Sequence, residues 1–380
     1  MGLRIGIVGA GPAGLYFALL TKRRAPDADV VVVERGAADA TFGFGVVFSD
    51  RALEFLRDGD PQTFAVLTRD IESWPIQRIR HQGEDVDIDG NGFSAIGRLD
   101  LLARLQNLVR AAGVEMQFGH EVTGLAAFAD RDLVVGADGI NSAVRAAHAA
   151  EFGPHVETMG NSFVWYGCAR PFGCLTLSFV DTDWGPFVAH YYRYQSARST
   201  FIVECDGATW RRAGLADMDD AMSRAFCENL FAADLQGSPL ISNQSAWRNF
   251  PVVTNRAWHH GNVVLIGDAL HSVHFSIGSG TRLAMEDAIA LDRALAENGD
   301  DVAIGLAAFE AARRPVAEKI LAAAGESAGW YESFGARMHL EAYDFAYDYM
   351  TRSGRMSDER LRQTAPRFAA AHAAREEPTG

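Results

Sequence analysis

Residues 9–14 read Gly-Ala-Gly-Pro-Ala-Gly and follow a short apolar run, Arg4–Val8. No other stretch restricts the folding of the chain as tightly. In a strand–turn–helix unit the first glycine makes the tight turn, the second lets backbone approach a pyrophosphate, and the third packs helix on strand. Alone the pattern is weak. A second buried strand, Val30–Val33, ends in Glu34, 20 residues after Gly14, and strengthens it. An acid at that position accepts hydrogen bonds from a ribose 2′-OH and repels a 2′-phosphate. The resident adenosine nucleotide is therefore expected to be FAD or NAD rather than NADP.

Two further stretches repeat the order of strand, acid and glycine. Leu133–Gly136 leads into Ala137-Asp138-Gly139, followed by Ser142 and Arg145, and Val263–Ile266 leads into Gly267-Asp268. Apolar runs this short, bounded by glycine, read as buried parallel strands, and ligands of open α/β sheets bind at the carboxyl ends of such strands. After Asp268 a loop closes with Gly278-Ser279-Gly280, and Leu283, Ala284, Ala288 and Leu291 then recur at helical spacing. A helix that starts beside glycines presents bare N–H groups and a positive dipole end to an anionic or electron-rich ring.

Composition removes several alternatives. The chain has 380 residues, 48% of them hydrophobic, enough for a large core and for two domains. A formal charge of -14 argues against nucleic acid or an anionic membrane as partner. Lys22 and Lys319 are the only lysines, which leaves little room for a Schiff base or a P-loop. The four cysteines lack CxxC spacing and the start of the chain carries no leader pattern, so a reducing cytoplasm is expected, with no membrane span and no metal ligand set.

Between these markers, Phe42–Asp50 (FGFGVVFSD) is a glycine-bearing aromatic loop able to lay backbone against a flat ring, Gly45 and Val46 included. Arg98 opens a helix with Leu101, Leu102, Leu105 and Leu108 on its buried side. A cation gains nothing from that end of a helix dipole, so Arg98 is expected to meet a phosphate or carboxylate. Residues 156–250 are rich in β-branched and aromatic runs, and His190, Tyr192 and Tyr194 share one strand face. Pocket lining is one reading of those three; sheet core is the other. His271 and His274 flank the glycine loop and are equally open between ligand contact and packing. Ala303–Ala324 reads as a long helix with a kink or break at Pro315, and the residues after about Ala370 as frayed.

The ordered set of GxGxxG, DG (Asp138-Gly139) and GD (Gly267-Asp268) resembles the single-component FAD-dependent aromatic hydroxylases related to para-hydroxybenzoate hydroxylase. Where the general pattern has a proline and an asparagine near the second loop, this chain has Phe275 and Arg282. The string HFSIGSGTRLAMEDAIAL is instead similar to a branch with salicylyl-CoA hydroxylases, the monooxygenase half of anthraniloyl-CoA monooxygenase/reductase, and a violacein-pathway hydroxylase of an indole. GFGVVFSD, Trp165-Tyr166-Gly167, Ser199–Cys205 and Trp247–Phe250 extend that likeness over most of the chain, which ends before any fused reductase barrel.

The resemblance implies an α/β fold, α+β overall: a Rossmann-like FAD/NAD(P)-binding domain with an inserted β-sheet substrate domain and C-terminal helices. The expected divisions are 1–75, 96–155 and 255–300 for FAD, 76–95 and 156–254 for substrate, and 301–380 as a helical region. FAD is expected on Gly9, Gly11, Pro12, Ala13, Gly14, Glu34, Arg35, Gly45, Val46, Arg98, Asp138, Gly267, Asp268, Gly278, Ser279, Gly280 and Thr281. No nucleophile is required; candidates for catalysis are His271, His274, His190 and Tyr192. The activity implied is ring hydroxylation with O₂ and NADH or NADPH through a flavin C4a-hydroperoxide. The ring is expected on an aryl-CoA thioester, whose phosphates would meet Arg78 and Arg80, Arg211-Arg212 or Arg313-Arg314. A free aromatic or indole is the alternative, and from other classes a flavin-dependent reductase or a non-catalytic flavoprotein.

Overall fold

The computed structural model describes residues 2–40, 43–49 and 52–376, and its contacts divide the chain into two compact units. The first comprises Met1–Thr41, Leu99–Thr158 and Pro251–Ala322; the second comprises Phe42–Arg98, Met159–Phe250 and Ala323–Gly380.

A six-stranded sheet organises the first unit, in the order His259–His260, Val263–Leu265, Leu133–Gly136, Arg4–Val8, Asp29–Glu34, Glu115–Phe118. All pairs are parallel except the edge hairpin of His259–His260 with Val263–Leu265. Ile5, Ile7, Val32, Leu133, Val135, Val264 and Leu265 are fully buried, as expected for strands covered on both faces. The helices Pro12–Arg24 and Gly280–Glu297 pack against each other. Their contact is close because small residues meet there: a Cβ on Gly267 would stand 3.1 Å from that of Ala13 and 3.4 Å from that of Ala284.

The second unit is built on a mainly antiparallel sheet whose order includes Pro154–Cys168, Arg198–Cys205, Phe187–Gln195, Leu175–Val180, Glu72–His81, Glu84–Gly97 and Gly45–Ser49. This differs from the expected boundaries. Gly45–Ser49 pairs with Glu84–Gly97, and Glu72–Trp74 pairs with Phe93–Ala95, so these strands join this sheet rather than the nucleotide-binding one. The last helices form no region of their own either. Trp330, Phe334, Phe345, Tyr349 and Phe368 pack on Ile79, Val86, Ile88, Leu177 and Phe179, because amphipathic helices this short need a face to bury their apolar stripe.

Two local expectations also change. Helix Val302–Ser333 runs straight through Pro315 in secondary structure, with Phe309 and Ala317 wholly buried; tertiary packing outweighs a proline cost of about 3 kcal/mol. The segment after Ala370 is helical to Glu376, with His372 stacked on Tyr347 at 4.5 Å; residues 377–380 lie outside the described residues. No helix of the described residues is long and apolar enough to cross a membrane.

Candidate active site

Strand register alone brings the three glycine-bearing turns together. Val8 lies opposite Val33 on one side and Gly136 on the other, and Gly136 lies opposite Leu265. The residues that follow, Gly9, Glu34, Ala137-Asp138 and Ile266-Gly267-Asp268, therefore emerge along one edge at the carboxyl ends of four adjacent parallel strands. The strand Arg4–Val8 is where the order reverses, since its successor lies on one side and the strand Leu133–Gly136 on the other. Such a switch point opens a crevice for ligand.

The glycines there are required by space. Gly9 has φ +107°, and a Cβ on it would fall 2.3 Å from the carbonyl oxygen of Ala137. A Cβ on Gly14 would fall 2.2 Å from the carbonyl oxygen of Gly9. Gly11, by contrast, faces open space, with no atom within 4 Å of an added Cβ. That is the cradle through which backbone approaches a phosphate. Glu34 lies below it, one carboxylate oxygen accepting from the N–H of Ala10 at 2.8 Å and the other from that of Gly36 at 2.8 Å. Each oxygen keeps a lone pair for a ribose hydroxyl.

Two helices begin at this edge without the side-chain caps that usually occupy an N-terminus. Pro12–Arg24, after Gly11, and Gly280–Glu297, after Ser279, have no capping side chain and no acid in the first turn. Their bare N–H groups and positive dipole ends suit a diphosphate and an electron-rich ring respectively. Gly278 has φ +58° and no side chain obstructs Gly280. Asp268 is exposed beside them. The residues present thus fit an FAD-sized dinucleotide.

Asp138 holds its own turn in shape. One carboxylate oxygen accepts from Ser142 Oγ at 2.5 Å, the other from the N–H groups of Ala143 at 2.6 Å and Val144 at 3.2 Å, so it caps the helix Ala143–Ala147. Arg145, on that helix, donates to the carbonyls of Ile140 and Ala269, tying the DG turn to the GD turn. Burial lowers the pKa of this guanidinium despite the nearby charge of Asp138.

Behind the GD turn lies a residue that motif reasoning missed. Asp287 is fully buried and accepts from the N–H of Gly267 at 3.0 Å and from Arg313 Nε at 2.9 Å; His271 Nε2 stands 3.1 Å away. Burial acts to raise the Asp287 pKa, but His271 and Arg313 outweigh it and hold it below the usual carboxylate range. The signal was available: Asp287 falls on the same helical stripe as Leu283, Ala284, Ala288 and Leu291, and an acid there must find partners. His271 accordingly belongs to a buried ion cluster, and His274 is buried with Nδ1 accepting from the Ser276 N–H at 3.3 Å.

Gly45, Val46, Arg98, His190 and Tyr192 belong to the second unit. There Tyr192 Oη donates to the carbonyl of Gly45 at 2.9 Å, and Gly45 N–H donates to Thr200 Oγ1 at 2.9 Å, so the aromatic loop's strand is anchored by a predicted residue. Burial pushes the Tyr192 phenol well up, so it stays protonated. Gly43 at φ +84° lies against the Trp165 indole; Phe42 and Asp50, the ends of the predicted loop, lie outside the described residues. Arg98 opens the helix Arg98–Ala111 as expected, its N–H donating to the Phe44 carbonyl at 2.8 Å. His190 is buried, 3.4 Å from Glu204 and with its ring 5.1 Å from Tyr331.

The arginines expected to meet phosphates do not stand ready for them. Arg78 pairs with Asp85 and Asp87, Arg80 with Asp85 and Asp234, Arg313 with Glu286 and Asp287, and Arg314 with Glu310. Arg212 donates to the Trp184 carbonyl. Acids both near in sequence, as Asp85 and Asp87 to Arg78, and far, as Asp234 to Arg80 and Asp287 to Arg313, neutralise four of them, which the spacing of arginines could not reveal.

A parallel sheet with a switch-point crevice, an acid under the glycine turn and two uncapped helix ends define a dinucleotide-binding flavoprotein. The family model described as "FAD binding domain" matches residues 3–324, and the chain belongs to this family of flavin-dependent hydroxylases. It is similar to a salicyloyl-CoA 5-hydroxylase of a Streptomyces species, 42% identical over 92% of this chain and 70% of that one. A 3-hydroxy-4-methyl-anthranilyl-[aryl-carrier protein] 5-monooxygenase of Streptosporangium sibiricum is 37% identical over 87% and 89%. Protodeoxyviolaceinate monooxygenase of Chromobacterium violaceum is 32% identical over 92% and 94%. In fold it matches a solved 2-methyl-3-hydroxypyridine-5-carboxylic acid oxygenase, TM-score 0.71 at 18% identity, covering 98% of both chains. The protein is an FAD-dependent aromatic monooxygenase that uses a reduced nicotinamide as co-substrate.

Proposed function

We propose that this monooxygenase hydroxylates an aromatic ring held as a thioester, at the carbon para to an ortho hydroxyl or amino group. One observation carries the reading: the two relatives at 42% and 37% identity act on a salicyloyl and an anthranilyl group, each joined to a carrier and each oxidised at position 5. That carbon is para to the ring donor and meta to the acyl group, where an electron-rich ring is most open to an electrophilic oxygen. The balance is ring C–H, O₂, NAD(P)H and a proton giving ring C–OH, NAD(P)⁺ and water.

Bound FAD supplies the redox chemistry, taking hydride from the nicotinamide and activating O₂. The protein's part is binding and orientation. Glu34 accepts from the adenosine ribose, with Arg35 at the same strand end. The turn Gly9–Gly14 and the helix start at Pro12 and Ala13 hold the diphosphate. Asp268 holds the ribityl chain, while Gly278, Ser279, Gly280 and Thr281 present backbone N–H groups to the ring system. Asp138 keeps the neighbouring turn in shape. Gly45 and Val46 are steadied by Tyr192 within the second unit. His190 and His274 are the remaining candidates to touch substrate. The first unit is thus the FAD-binding part and the second the substrate part. Four free, buried thiols support a reducing, cytoplasmic setting.

The test is turnover under ¹⁸O₂ with salicyloyl-CoA, anthraniloyl-CoA, the free acids and an indole, following NADH and NADPH oxidation. A thioester product carrying one ¹⁸O at position 5 is expected. The 32% identity to protodeoxyviolaceinate monooxygenase favours an untethered indole as second reading. Acceleration by the indole or free acids, with none by either thioester, would overturn the first.

A further inference from the structure

We infer that His148, Glu151 and His260 form a binding site for a divalent transition metal of the Zn²⁺ type. Their imidazole nitrogens and carboxylate oxygen all lie within 4.8 Å of one another. His148 Nδ1 is 3.9 Å from Glu151 Oε2, and the two imidazole rings are 5.6 Å apart between centroids.

The backbone under these side chains is fixed. His148 precedes and Glu151 lies within the turn Ala149–Phe152, closed by the N–H of Phe152 on the carbonyl of His148 at 2.9 Å and seated by the wholly buried Phe152 ring. His260 lies on the edge hairpin, opposite Val263. Two backbone bonds stitch these pieces together, Arg256 N–H to the Gly153 carbonyl at 3.3 Å and Ala257 N–H to the Phe152 carbonyl at 3.1 Å. Strand alternation then separates the neighbouring histidines. His259 reaches Glu310, its Nδ1 2.9 Å from the carboxylate, and His260 takes the other face, towards His148.

Two imidazoles and one carboxylate are a donor set for Zn²⁺, Ni²⁺ or Cu²⁺, and a poor one for Mg²⁺ or Ca²⁺, which take oxygen ligands. A tetrahedral Zn²⁺ holds its ligand atoms about 3.3 Å apart, so the widest separation must close by at most about 1.5 Å. Side-chain torsions supply that, because the His148 and Glu151 side chains are 29% and 39% exposed and not locked by packing. Three protein ligands leave the fourth position for water, and the net charge of -14 favours cation approach. A bound metal would tie residues 148–151 to the hairpin whose second strand, Val263–Leu265, leads into Gly267-Asp268. The site is therefore a brace on the sheet edge, separate from the flavin fingerprints.

The test uses FAD-loaded protein stripped of metal and titrated with ZnCl₂ by calorimetry and thermal melting. One equivalent is expected to bind and raise the melting temperature. His260→Ala and His148→Ala should each weaken binding by at least about tenfold while FAD content and metal-free turnover stay unchanged. Excess Mg²⁺ should not compete. Absence of one-equivalent binding in the unaltered protein would overturn the inference. So would binding that survives in the His148→Ala/His260→Ala double variant, which would point to His155 with Glu157 or His259 with Glu310.

Discussion

At the scale of single residues, the site sets an exposed carboxylate apart from enclosed ones. Asp268 is exposed, whereas Asp138 spends its carboxylate on a helix start and Asp287 is wholly enclosed. Replacing Asp268 by Ala should weaken FAD binding by about 1–3 kcal/mol, the cost of losing a partner to a buried ligand group. The FAD-free protein should unfold within about 0.5 kcal/mol of its parent, as for an exposed change. Fluorescence titration with FAD and urea unfolding of the apoprotein check the two halves. Arg145→Met should behave otherwise: it leaves the carbonyls of Ile140 and Ala269 without their donor, so urea unfolding should show a loss of about 1–3 kcal/mol even without FAD. FAD affinity should fall with it, because the DG and GD turns are then no longer tied.

At the scale of elements, the GD turn depends on the helix that follows it. Asp287 orients the Gly267 peptide from inside Gly280–Glu297, and Arg313 on the next helix balances its charge. Asp287→Asn should destabilise the protein by up to about 3–5 kcal/mol, since the buried Arg313 loses one of its two carboxylate partners and keeps only Glu286. The pH dependence has a definite sign. The Asp287 pKa is depressed below 3.8 in the folded protein, so its contribution is complete above about pH 4 and drains away as pH falls through the folded value. Unfolding free energies measured across the acid range should therefore converge between parent and Asp287→Asn as pH drops. A constant difference would contradict the charge argument.

At the scale of the whole molecule, the C-terminal helices complete the second unit's sheet rather than trailing from it. Phe345 is wholly buried between Phe179, Trp330 and the sheet, with its ring 4.7 Å from that of Phe179. Phe345→Ala should cost about 3–5 kcal/mol by thermal or urea unfolding. If the C-terminal region were an independent appendage, the change would leave the main transition untouched.

Much of the nucleotide site was legible in the chain because its determinants are local. Glycine tolerance of positive φ at Gly9 and Gly267, strand-length apolar runs and the spacing from Gly14 to Glu34 act within a few tens of residues, so composition and order suffice to read them. Periodicity states that a face is buried but not what covers it. Tertiary structure alone decided that Arg78, Arg80 and Arg313 face acids rather than phosphates, that Gly45–Ser49 joins the β-sheet of the second unit, and that the last helices pack on it. It also decided that Arg145 reaches the carbonyl of Ala269, 124 residues further on, and so joins two turns. The physical reason is shared: a buried charge or an apolar stripe must find compensation, and the partner is chosen by chain topology, which no local pattern encodes.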